Sequence, residues 1–198
     1  MNSVKECVFC RIKGLLEEIP QKSGNNTIPC KRGIYEDDYC IATLAPEQYT
    51  KGHTLLILKN HRVDIADTNI SREELSGFID ALNKLAIHLK GKLQDYENNV
   101  PQRIYIAILC DGIEHLHAHL IPRYPFTDAD GNIYEKLFLE RDGRKNINRK
   151  IEKDELGGFW YIAEREKNYK KSEFWNKSDE ERAKYLEEFA GKLRMSLI

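Results

Sequence analysis

Apolar residues recur at helical spacing in two stretches of the chain. Leu75, Phe78, Ile79, Leu82, Leu85, Ala86, Leu89 and Leu93 follow Ser71-Arg72-Glu73-Glu74, where Ser71 and Glu74 have the spacing of a capping box that satisfies the first free amides of a helix. Leu186, Phe189, Ala190, Leu193 and Leu197 follow Ser178-Asp179-Glu180-Glu181, which predicts a second, amphipathic helix at the C-terminal end. Elsewhere the pattern is strand-like: Tyr39 to Thr43, His53 to Leu58, Ile104 to Cys110 and Leu116 to Pro122 are short apolar, β-branched or aromatic runs bounded by turn residues. The first two runs flank a loop from Pro46 to Gly52 and are expected to pair antiparallel. The last two are separated by Asp111-Gly112-Ile113-Glu114, in which Asp-Gly is a strong turn signal.

Strands, one long helix and then strands predict the α+β class. Pro20 to Cys30, rich in Gly, Asn, Ser and Pro, reads as a surface loop. Asp128 to Asp154 is charged and poor in apolar anchors, predicting an irregular connection, and Phe159 to Ala163 reads as one more strand. The expected organisation is a main domain over 1–125 and a C-terminal extension over 126–198.

Composition narrows the classes of function. At 198 residues the chain is long enough to bury one real core. Lys plus Arg number 31 against 32 Asp plus Glu, a net charge of -1, so there is no field suited to a polyanionic backbone and a nucleic acid polymer is not the expected partner. No apolar segment approaches the ~20 residues of a membrane-spanning helix, and no basic stretch followed by an apolar run opens the chain. The expectation is a soluble, cytoplasmic protein. Its five Cys are an odd number. In a reducing compartment, closely spaced Cys more often hold metal or do redox work than form structural disulfides.

The candidate chemistry lies in the histidines. Of six His, only His88 falls within a helical stripe; the others are His53, His61, His115, His117 and His119. On a strand, alternate side chains share a face, so His115, His117 and His119 would project together about 7 Å apart, opposite Leu116, Ala118 and Leu120. By spacing alone this stripe reads as a solvated strand, a three-histidine metal cage or a catalytic surface. Cys7-Val8-Phe9-Cys10 can supply two thiolates to a tetrahedral Zn²⁺ or act as a redox dithiol. Cys30, Cys40 and Cys110 lack such spacing and read as small buried side chains.

His115-Leu116-His117-Ala118-His119-Leu120-Ile121 resembles the signature of the histidine triad (HIT) family, His-φ-His-φ-His-φ-φ with φ apolar. The block from Lys51 to His61, the Cys7 to Ile12 segment, Glu36-Asp37-Asp38 and Ile121-Pro122-Arg123-Tyr124 are similar to further family elements, the Cys segment to those of the zinc-containing bacterial Hint-like branch. The resemblance spans roughly residues 5 to 125. It implies a HIT-like antiparallel sheet with one long helix, here carrying a C-terminal helical extension.

The resemblance also implies a reaction. His117 would attack the α-phosphorus of a nucleoside phosphate derivative, such as a dinucleoside polyphosphate or a nucleoside phosphoramidate, forming a nucleotidyl-histidine that water resolves. His119 and His53 would hydrogen-bond the phosphate or leaving-group oxygens. Phe9 and Ile12 match base-pocket positions. A structural Zn²⁺ would be held by Cys7, Cys10, His61 and His115, leaving no open coordination position for metal-assisted hydrolysis. A homodimer is expected from the family.

Two departures qualify the match. The Gly-Gln-Ser or Gly-Gln-Thr phosphate element is missing before the triad, leaving Asp111 and Gly112 as the nearest candidates to contact phosphate. Ala45 stands where the family tends to place an acidic residue for the ribose, with Glu47 as a substitute. Alternatives to the hydrolase are a nucleotidyl transferase, whose branch typically replaces the third His by Gln, and a non-catalytic nucleotide sensor. A redox or purely zinc-structural protein is the third.

Overall fold

The structure, a computed structural model, describes residues 7–12, 14, 19–23, 26–94, 100–124 and 176–195. The irregular connection expected at 128–154, the strand at 159–163 and the stripe residue Leu197 lie outside the described residues.

Among the described residues, seven strands and two helices follow a short 3₁₀ turn at Phe9–Arg11. Strands β1 (Ile19–Ser23) and β2 (Asn26–Cys30) form an antiparallel hairpin, in register from Ile19↔Cys30 to Ser23↔Asn26. The surface loop expected over Pro20 to Cys30 is therefore paired structure. Ile19, Thr27 and Ile28 favour extended backbone, and Pro20 and Pro29 face each other in a separate two-stranded sheet, where proline is tolerated as it is not in a central strand.

The main sheet has the order β3 (Gly33–Glu36), β4 (Cys40–Leu44), β5 (Thr54–Leu58), β7 (His117–Arg123), β6 (Arg103–Ala107). Every neighbouring pair is antiparallel. With the long helix α1 (Arg72–Lys92) and the C-terminal helix α2 (Asp179–Leu193) this is the α+β architecture expected. Both helices begin in complete capping boxes, Ser71 with Glu74 and Ser178 with Glu181.

The β6–β7 connection is longer than the four-residue turn read from the sequence, because β6 stops at Ala107 and β7 starts at His117. Cys110 adopts a left-handed φ of 56°, which breaks the extended path. The Leu116 amide then bonds to the Arg62 carbonyl at 2.5 Å, and the His115 amide to that of Ile113 at 2.7 Å. His115 thus stands just ahead of the strand carrying His117 and His119.

Period-two alternation separates two faces. Ala42, Leu44, Leu56, Leu58, Ala118 and Leu120 join the main core with Phe78, Leu82, Leu85 and Leu89 of α1 and Leu186, Ala190 and Leu193 of α2. Full burial of each such Leu stabilises by about 1.5–3 kcal/mol. The helix that opens the C-terminal stripe is therefore built into the same core as the sheet. It is also hydrogen-bonded to it: His88 Nε2–H donates to the Leu193 carbonyl at 2.8 Å, and Arg194 and Met195 bond to Gly33 and Ile34 along β3, shielding an edge strand. On the opposite face Phe9, Ala45, Leu55 and Ile57 form a smaller cluster, with Cys7, Ile12 and Ile113 packed against it. Among the described residues no helix is long and apolar enough to cross a membrane.

Candidate active and metal site

Register places the reactive side chains. His117 lies opposite Ile57 and His119 opposite Leu55 on the neighbouring strand, so the two imidazoles rise from the face bearing the Phe9 cluster. Their ring centroids are 5.2 Å apart, and Phe9 packs edge-on against His117 at 5.0 Å and His115 at 5.7 Å.

The hydrogen bond to His117 fixes which nitrogen carries the proton. Its Nδ1 is 2.7 Å from the main-chain oxygen of His115. A carbonyl only accepts, so Nδ1 donates and Nε2 is the nitrogen left to present a lone pair. The same logic runs through the second pair. His53 Nδ1–H donates to the Glu47 carbonyl at 2.9 Å, leaving Nε2 to accept from His119 Nδ1–H at 3.0 Å. His119 in turn presents Nε2 with a lone pair. Burial, reinforced by the neighbouring His119, pulls His53 down to about 3, and burial with His117 nearby pulls His119 down to about 4. Both rings are neutral at physiological pH.

His53 stands at the end of a loop shaped by residues the sequence reading did not single out. Gln48 is buried and donates through Nε2 to the carbonyls of Ala45 and His53, both at 2.8 Å, while its Oε1 accepts the Gly52 amide at 2.8 Å. Tyr49 stacks on the His53 ring at 5.4 Å, so His53 lies between Tyr49 and His119. Gly52 has φ 88°, and a Cβ there would meet Leu93 Cδ1 at 2.5 Å. Nothing in an isolated loop sequence marks Gln48, since its three partners are all main-chain groups. Ile113 was legible as the one apolar residue in the Asp111–Glu114 turn, and it packs against the Phe9 cluster.

Cys7, Cys10, His61 and His115 converge, their ligand atoms all within 4.8 Å of one another. Cys7 Sγ is 3.3 Å and Cys10 Sγ 3.6 Å from His115 Nδ1, Cys10 Sγ is 3.3 Å from His61 Nδ1, and the two Nδ1 atoms are 3.3 Å apart. A tetrahedron with Zn–N of about 2.05 Å and Zn–S of about 2.3 Å requires N···N near 3.3 Å and S···N near 3.6 Å. The N···N separation and that of Cys10 from His115 match these values, and the two shorter S···N contacts, at 3.3 Å, lie close to them. His115 Nε2–H donates to the Leu58 carbonyl at 2.6 Å, which turns the Nδ1 lone pair toward the thiols. Burial, with Cys7 alongside, pushes the Cys10 thiol up to about 11; a cation among these four groups would offset that penalty.

The remaining expectations fall at the rim. Asp111 and Gly112 are exposed, and a Cβ on Gly112 would meet nothing within 4 Å. Glu47 is exposed, and its carbonyl accepts from His53. Ala45 is buried in the apolar cluster beside Phe9, with Ile12 at its edge. Cys30, Cys40 and Cys110 are buried, as expected for packing residues.

A family model described as HIT domain matches residues 26–126. Protein hit of Bacillus subtilis is 27% identical over 139 residues, covering 68% of this chain and 83% of that protein. An uncharacterized HIT-like protein of Methanocaldococcus jannaschii is 33% identical over 129 residues, covering 64% of this chain and 84% of its own length. Among solved structures, a zinc-bound histidine triad family protein from Mycobacterium smegmatis is similar over 86% of this chain and 100% of that one, at 22% identity and a TM-score of 0.43. With the family model covering half of its length, and His117 and His119 on one face of β7 with His115 just ahead of it, the chain belongs to the HIT family.

Proposed function

We propose that this protein is a nucleotide hydrolase acting at the α-phosphate of a nucleoside phosphate derivative, either a dinucleoside polyphosphate or a nucleoside phosphoramidate. One observation carries the reading: His117 Nδ1–H is held by the His115 carbonyl at 2.7 Å, so the lone pair needed for attack is on Nε2. That nitrogen forms a bond to the α-phosphorus while the bond to the leaving group breaks; the leaving group, protonated from solvent before attack, takes the bonding pair and departs carrying that proton. Water then adds to phosphorus, the P–N bond breaks, and a nucleoside monophosphate is released with His117 restored.

His119 assists at both steps. Its Nε2 lone pair accepts a hydrogen bond from the protonated leaving group, later takes the proton of the attacking water, and releases it to solvent once the monophosphate has left. His53 works through His119: the Glu47 carbonyl orients His53, and His53 holds the His119 tautomer. Phe9 and Ile12, with Ile113, supply apolar surface for the base, and Asp111 and Gly112 adjoin the phosphate path.

The four-residue cluster is assigned to a structural Zn²⁺ on its donor set and spacings. The ion, when bound, anchors the N-terminal segment and His115 in a closed tetrahedral shell. Because the His115 carbonyl orients His117, that anchor also fixes the nucleophile's setting. A cytoplasmic location, where the cysteines stay reduced, and a homodimer complete the reading.

Incubation of the purified protein with a panel of dinucleoside polyphosphates and nucleoside phosphoramidates tests it. Release of nucleoside monophosphate supports hydrolysis. Transfer of the nucleotidyl group to phosphate or a second nucleotide would assign a transferase, and saturable binding without turnover a sensor.

A further inference from the structure

We infer that Glu74 is a positioning residue for the metal ligand His61, tying the segment that carries it to the first turn of α1; the inference rests on the zinc reading of the Cys7, Cys10, His61 and His115 cluster. His61 lies beyond the end of β5 at Leu58, so no strand ladder holds its ring. Both flanking side chains instead converge on one carboxylate. Asn60 Nδ2 donates to Glu74 Oε1 at 2.7 Å, and Arg62 Nη2 reaches both Glu74 oxygens at 2.9 Å. Arg62 Nη1 also donates back to the His61 carbonyl at 3.0 Å.

Glu74 itself is 5% exposed and 21 residues are bound in the helix it helps to start, so the anchor is rigid. Its Oε2 accepts the Ser71 amide at 2.7 Å as part of the capping box. A capping glutamate needs only that one bond. The additional donors, Asn60 Nδ2, Arg62 Nη2 and Arg62 Nε (3.3 Å from Oε2), all from residues bordering His61, are what a cap alone leaves unexplained. The far side of the same segment is stitched to the other histidine ligand, through Leu116 N to Arg62 O and His115 Nε2 to Leu58 O. Glu74 thereby supplies the helix side of a clamp whose sheet side already holds His115; groups bonded directly to a metal ligand typically alter affinity by about 10–100-fold, and Glu74, acting one contact further out through Asn60 and Arg62, falls at the low end of that range.

The test is zinc affinity, measured on the full-length protein by competition with a chromophoric chelator. Glu74→Gln keeps the size of the side chain and the reach to the Ser71 amide but loses the charge that gathers Arg62. Ser71→Ala serves as the control, weakening the helix cap without touching Asn60 or Arg62. The expected result is a loss of about 10-fold or more in zinc affinity for Glu74→Gln, with Ser71→Ala unchanged in affinity although less stable. Arg62→Gln, at a more exposed position, gives the same reading should Glu74→Gln not fold. Equal affinity in all variants, or equal loss in Ser71→Ala and Glu74→Gln, would overturn the inference. Failure of the wild-type protein itself to bind one zinc would overturn the zinc reading and this inference together.

Discussion

His53 Nε2 and His119 Nδ1 are 3.0 Å apart although the residues are separated by 66 positions in sequence. The contact links the loop before β5 to the strand that carries the triad, and it makes the fold sensitive to acid. Burial holds His53 at about 3 against an ordinary value of 6.5, so between those limits the unfolded chain binds the proton and the folded chain does not. Stability therefore rises with pH through that window and falls as pH drops from about 6.5 toward 3. In urea titrations, the stability advantage of wild type over His53→Gln should shrink by on the order of 2–3 kcal/mol between pH 7 and pH 4. A constant difference across that range would show that His53 is not buried as a neutral ring.

Metal removal gives a second prediction. The purified protein should carry one zinc per chain, and Cys10→Ser should abolish that stoichiometry. With zinc at 100 times its dissociation constant the folded state gains about 2.7 kcal/mol, visible as a higher melting temperature that a chelator reverses. An unchanged melting temperature on chelation, with no metal by elemental assay, would contradict the structural role.

Gly52 is a third test, because its φ of 88° and its approach to Leu93 act together. Gly52→Ala should destabilise by about 1–3 kcal/mol and should lower turnover more than substrate affinity, since His53 is the next residue. A fully active, equally stable variant would mean that the loop tolerates another path.

Leu186→Ala tests whether α2 is part of the main core. Leu186 is completely buried, so truncation should cost about 2–5 kcal/mol and leave a single unfolding transition. A loss confined to an early, separate transition would make the helix an independent appendage.

Much of this was legible in the residues. The two capping boxes and the helical stripes gave α1 and α2, and period-two alternation gave the faces of β5 and β7, because local backbone preference and burial agree there. Of the candidate metal cluster, the Cys7–Cys10 pair was legible from its spacing, but its meeting with His61 and His115 only by resemblance: the four residues come from three separate segments, and no local pattern says that they converge. Two features were misjudged for physical reasons. Gly, Asn and Pro in the 20–30 segment signal turns, yet pairing between Ile19 and Cys30 outweighs them. His115 looked like a strand residue because alternation continues through it, whereas the left-handed Cys110 and the bond from Leu116 to Arg62 displace the start of β7. Gln48 and Glu74 were invisible as positioning groups, since their roles depend on partners brought close by folding.

The central claim is that His117 attacks phosphorus through Nε2, and direct detection of the covalent adduct tests it. Wild-type protein mixed with a nucleoside phosphoramidate and quenched in alkali, where the P–N bond survives, should gain the mass of one nucleotidyl group on the peptide bearing His117. Folded, zinc-loaded His117→Ala should show neither the adduct nor nucleoside monophosphate release. Steady release by the wild type with no adduct, undiminished in His117→Ala, would contradict the account.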